Sequence, residues 1–94
     1  MSQLHILGTL SPNAIDDMLP MVNADDTLLL IDDAAYAAMT GSSNQQRLDN
    51  IPGHIVALEE ACVTRGITNP GFKTISMPEF VALSLDAHHV LNWF

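Results

Sequence analysis

Asp25-Asp26-Thr27-Leu28-Leu29-Leu30-Ile31-Asp32-Asp33 is the stretch that decides the fold. The run from Thr27 to Ile31 is continuously apolar after its threonine, and a pair of carboxylates stands at each end. A strand with one wet face alternates polar and apolar side chains, whereas a strand covered on both faces of a parallel sheet reads as an unbroken apolar run. Thr27–Ile31 is therefore predicted as the central strand of a mainly parallel sheet.

The same alternation of strand and helix signals extends outward. Upstream, Leu4-His5-Ile6-Leu7 ends at Gly8, and Ser11-Pro12 then supplies an N-cap followed by proline at the first helical position. Ile15, Met18 and Leu19 share a helical face until Pro20 stops or kinks the helix. Downstream, Asp32 and Asp33 are placed to cap a short helix over Ala34 to Met39, with Gly41 at its left-handed end. A helical turn or two around Leu48 leads to the Ile51-Pro52-Gly53 turn and a third strand over His54 to Leu58. Glu59 and Glu60 open a helix of about two turns that stops at Gly66, with Arg65 near its negative end. Lys73-Thr74-Ile75 is a brief fourth strand, and Ser76 with Glu79 forms a capping-box signature. Phe80, Leu83, Ala87 and Val90 or Leu91 then recur at helical spacing, which predicts a final helix carrying those residues. The whole reads as α/β: residues 1–94 as one small domain with a mainly parallel four- or five-stranded sheet, flanking helices and right-handed crossovers. Sites in such folds collect where loops leave the carboxyl ends of strands, here around Gly8 to Ser11, Asp32 to Ala35 and Glu59 to Ala61.

Composition narrows the function. With 48% hydrophobic and 15% charged residues in 94, the chain has more large apolar side chains than a small monomer can cover, so burial against another subunit is expected. The formal charge of −8 comes from 11 acidic residues against three basic ones, Arg47, Arg65 and Lys73. That leaves almost nothing to neutralise phosphates, so no direct nucleic acid binding is expected, and the charge favours a basic partner surface. One cysteine, Cys62, excludes an internal disulfide. The opening MSQLHILGTLSPN lacks a basic segment followed by a long apolar one, and no run approaches the roughly 20 apolar residues of a membrane span. The expectation is a soluble cytoplasmic protein.

Candidate chemistry is sparse. Cys62 is the only thiol and so the candidate for nucleophilic or persulfide chemistry. Its position near a helix start favours a thiolate, but Glu59 and Glu60 oppose one, and its apolar-periodic place beside Val63 suits a packed, inert side chain. His88 and His89 are adjacent, so on a final helix they point to different faces and cannot make the i, i+4 pair of a helical metal site. Asp25, Asp26, Asp32 and Asp33 could in principle act as paired acids. As caps and solubilising groups at the ends of a buried strand they need no chemistry. No phosphate loop, Ser-His-Asp spacing or zinc motif is present, so no catalytic residue, metal site or cofactor is assigned. Leu91-Asn92-Trp93-Phe94 places three large apolar side chains in the last four positions, and Trp93 and Phe94 are candidate subunit-interface residues.

Several segments, in order, resemble the TusB/DsrH family. Leu4-His5 with Ser11-Pro12 is similar to an LHT…SP opening with about one extra residue. Asp26 through Ala38 resembles GDxLLLxxDGxYAA, Ala57-Leu58-Glu59-Glu60 through Arg65-Gly66 resembles ALxED…ARG, and Ile75 through Phe80-Val81 to Trp93 resembles IDYxDFVxLT…W. The resemblance implies a DsrE-like fold and a subunit of a three-component sulfur relay, with TusC/DsrF-like and TusD/DsrE-like partners. In the Tus branch such a complex passes persulfide sulfur towards 2-thiouridine at the tRNA wobble position; in the Dsr branch it serves sulfur oxidation. Ala34 stands where the family has glycine, which changes the loop if that glycine needs a positive φ. Some DsrH members carry a cysteine in the first helical region, and Ala14 to Asn23 contains none. A non-catalytic subunit supporting tRNA thiolation is therefore the leading expectation. The alternatives are a DsrH-like subunit in sulfur oxidation, a sulfur acceptor using Cys62, and an acidic interaction module outside sulfur metabolism.

Overall fold

In the computed structural model, which describes residues 2–93, five strands form one sheet: β1 (Gln3–Leu7), β2 (Thr27–Leu30), β3 (His54–Leu58), β4 (Lys73–Ile75) and β5 (His89–Trp93). Their order is β4-β3-β2-β1-β5, and every neighbouring pair is parallel. The helices are α1 (Pro12–Met18), α2 (Ser43–Leu48), α3 (Glu59–Thr64) and α4 (Met77–Asp86), with 3₁₀ segments at Leu19–Met21 and Asp32–Ala38. The small parallel α/β domain expected from the sequence is thus present, with β2 at its centre and Leu28, Leu29 and Leu30 fully buried.

The strand order assigns the helices to faces. From β1 to β4 the chain steps in one direction across the sheet, and right-handed crossovers place all three connections on one face. The step from β4 to β5 runs back across the whole sheet, so α4 lies on the other. We call these the first and second faces. His5, Leu7, Leu28, Leu30, Leu91 and Trp93 point to the first face, as the strand register and the two-residue period require. Leu4, Leu29, Val56 and Ile75 point to the second.

Local signals explain most boundaries. Ser42 caps α2 by accepting from the Gln45 N–H at 3.1 Å, and Ser76 and Glu79 complete the capping box of α4 reciprocally. Gly41 and Gly66 adopt positive φ where a left-handed stop was expected.

Three expectations need correction. The segment after β2 is a 3₁₀ helix over Asp32–Ala38 with no side-chain cap, so Asp32 and Asp33 do not cap it. Its left-handed residue is Asp32 at φ 48°, not Ala34, which sits buried inside the turn; alanine at 34 therefore meets no backbone penalty. The final helix stops at Asp86, where Ala87 turns extended, and His89–Trp93 is a fifth strand. The spacing of Phe80, Leu83, Ala87 and Val90 mimicked a continuing helix because an edge strand is half exposed and lacks the unbroken apolar run of β2.

Candidate functional site

The carboxyl ends of β3 and β4 open onto a groove of about 530 Å³ lined by Glu59, Glu60, Val63 and Thr64 of α3, by Ser76, and by Met77 and Pro78 of α4. Two carboxylates and apolar side chains occupy the place where folds of this class hold their reactive groups. Cys62, one turn into α3, does not reach it: the thiol is free and buried at 2% exposure. Burial raises its pKa, and Arg65 only partly offsets that, so the reactive thiolate is disfavoured. Cys62 is a packed core side chain.

Arg65, at the end of α3, ties this region together. Its guanidinium donates to Asp33 at 3.2 Å and to the Ala61 carbonyl at 3.3 Å, and lies 5.8 Å from the Tyr36 ring centre. Asp33 is largely exposed, so the pair is worth little in stability but orients the 3₁₀ segment against α3. Asp32 and Asp33 thus stand at the carboxyl end of β2, away from Asp26 at its amino end.

Asp26 departs most from its reading as a solubilising residue. It is fully buried, and its carboxylate accepts from the Gln3 N–H and the Asn23 N–H, both at 2.9 Å, and from His5 Nε2 at 2.9 Å. Burial acts to raise its pKa, but the bonds from Asn23, His5 and Gln3 outweigh this and hold it below the ordinary carboxylate value. The His5 ring, also fully buried, accepts at Nδ1 from the Trp93 indole N–H at 3.1 Å and stacks with that ring at 6.2 Å between centroids. An indole N–H can only donate, so Nδ1 is the acceptor and Nε2 carries the proton given to Asp26. Trp93, His5 and Asp26 form one connected polar chain across β5, β1 and β2. It resembles the acid-and-imidazole half of a catalytic relay, yet no nucleophile joins it and its His5 and Asp26 are closed to solvent; its role is to satisfy buried polar groups and fasten the β5 edge.

The sequence contained part of this signal. A histidine within Leu4-His5-Ile6-Leu7 must find a partner if the strand is buried. The partners lie 21 and 88 residues away, beyond the reach of any local pattern.

His88 and His89 lie outside the helix to which they were assigned. His89 opens β5, and the two rings meet edge to face at 4.4 Å on the surface. Among the described residues no group of three or more His, Cys, Asp or Glu side chains is arranged to hold a metal ion. None of their helices is long and apolar enough to cross a membrane. Trp93 is half-buried, with its indole N–H engaged inside its own chain, and Phe94 lies outside the described residues.

Residues 10–90 match the model of the family described as DsrH like protein. The chain belongs to the DsrH-like family. That membership supports a sulfur-relay type of subunit, of a family usually found in complexes with other relay subunits. No curated protein matches the chain. Among solved structures, the crystal structure of the ychN protein from E. coli superposes with a TM-score of 0.75, covering 99% of this chain and 100% of that one. At 18% identity that similarity shows a shared fold.

Proposed function

We propose that this DsrH-like chain is a non-catalytic subunit of a cytoplasmic sulfur relay. Its partners are TusC/DsrF-like and TusD/DsrE-like subunits, and the complex supports persulfide transfer towards 2-thiouridine at the tRNA wobble position. The observation that carries the reading is Cys62: the chain's one thiol is buried, and its thiolate is disfavoured. A relay through this subunit's own sulfur would need that helix to open, so the donor thiol is supplied by another subunit. The lack of a cysteine in α1, where some DsrH members have one, favours the thiolation branch over sulfur oxidation. The eleven acids leave tRNA contact to the partners as well. Trp93, on the edge strand β5 and partly exposed, together with Phe94, supplies one contact to a neighbouring subunit.

Co-expression with the two presumed partners, followed by mass measurement of what co-purifies, tests this reading. A stable assembly containing all three chains is expected; a chain that purifies alone under every ratio of partners contradicts it. Filter binding of tRNA to the isolated chain at physiological salt is expected to show no sub-micromolar affinity, and such affinity would contradict the assignment of tRNA contact to other subunits.

A further inference from the structure

Three crossovers cover the first face of the sheet, but α4 alone covers the second, although a parallel sheet needs both faces covered. The strands beneath it are nonetheless buried, and the apolar surface left open lies on α4 itself. No side chain of α4 is fully buried: only Phe80 and Leu83 pack partly against the core. A groove of about 680 Å³ remains between α4 and those strands, floored by Val56 and Ile75 and walled by Leu83 and Leu85. Met77, Val81 and Leu85, spaced i, i+4 and i+8, form one apolar stripe along α4 and are 40%, 50% and 83% exposed.

The charges beside this surface have one predominant sign. Glu79 and Asp86 line the groove, opposed by Lys73, and Glu59 and Glu60 line the adjoining groove next to Met77. A second copy of the chain would bring the same carboxylates against these, in a molecule already carrying a net charge of −8. Polyanions and anionic lipid are repelled for the same reason. A protein segment with apolar side chains in the middle and lysine or arginine at the margins matches both features.

We propose that α4 and the groove beneath it are the docking surface for a basic, apolar-centred helical segment of a different protein. This names the contact surface for the partner-subunit reading and rests on that reading for the kind of partner. Leu85, which lines the groove and is the most exposed of the three, is its principal anchor.

The test uses a fluorescein-labelled amphipathic peptide of about 18 residues, roughly five helical turns, built from leucine and lysine, and a leucine and glutamate counterpart. The wild-type chain is expected to bind the lysine peptide in a salt-sensitive manner and to ignore the glutamate one. Leu85→Asp is expected to weaken binding at least roughly tenfold, the loss expected from removing one buried leucine. Because that substitution adds a negative charge, a purely electrostatic association would instead tighten. Leu85 is so exposed that the variant should fold, and Val81→Asp provides a second substitution on the same stripe, checked in the same way by thermal melting. Failure of the lysine peptide to bind, binding unchanged or tighter in both variants, or a wild-type dimer that Leu85→Asp dissolves would each overturn the proposal. A three-subunit assembly that co-purifies unchanged with Leu85→Asp would also overturn this surface while sparing the partner-subunit reading.

Discussion

The two faces of the sheet solve opposite problems. On the first face a histidine and an aspartate are buried completely, and every bond the pair needs is supplied by backbone N–H groups and one indole. On the second face apolar side chains remain uncovered along a single helix. Buried polar groups are costly unless satisfied, so the polar network of the first face is completed within the chain. Exposed apolar area on α4 is unfavourable in water and becomes favourable once a partner covers it, so that helix is suited to one. Topology creates the difference, because one reversal of direction in the strand order leaves a lone crossover on one side.

The comparison is broken most directly at Asp26. Replacing it with alanine leaves the fully buried His5 and the part-buried N–H groups of Gln3 and Asn23 without their acceptor, and is expected to cost about 3–5 kcal/mol in urea unfolding. A loss below about 1 kcal/mol would show that this face does not depend on the network. Gly53→Ala comes next. A Cβ at Gly53 would lie 2.6 Å from the Asp26 carbonyl oxygen and 3.0 Å from that of Asn23, both backbone, so the turn that presents Asp26 must shift. The expected cost is about 1–3 kcal/mol by the same measurement. Trp93→Phe keeps most of the ring but removes the N–H donated to His5, for about 1–2 kcal/mol.

Acid sharpens the comparison without changing a contact. The folded pKa of Asp26 lies below its unfolded value, so on acidification the unfolded chain takes up a proton first. Its contribution is complete above the unfolded carboxylate value of about 3.9 and is lost as pH falls through the folded value. The urea midpoint of the wild type should therefore fall on acidification below about pH 4. Asp26→Asn should flatten that part of the profile. An identical slope in both proteins would place the acid sensitivity elsewhere.

Much of this architecture could be read from the residues, and what could not has a physical cause. Continuous burial at Leu28, Leu29 and Leu30 identifies a central parallel strand because only such a strand dispenses with alternation. Capping at Ser76 is local, and so it is legible. β5 escaped because an edge strand is half wet, and a heptad-like coincidence of Phe80, Leu83, Ala87 and Val90 continued the helical period through it. Asp26 escaped because its burial depends on His5 and Trp93, residues the chain brings together only by completing the sheet. The burial of Cys62 agrees with its apolar-periodic position beside Val63, whereas the lone helix over the second face followed only from the strand order.

The smallest expected effect bears on the central claim, that this chain serves the relay as a platform rather than through its own sulfur. The measurement is the rate of persulfide transfer through the co-purified three-subunit complex carrying Cys62→Ala, with assembly confirmed by mass. Transfer is expected to match the wild-type complex, because burial disfavours the thiolate that sulfur transfer needs. Transfer abolished in a variant complex that is still folded and still assembled would contradict the claim and make Cys62 a sulfur acceptor.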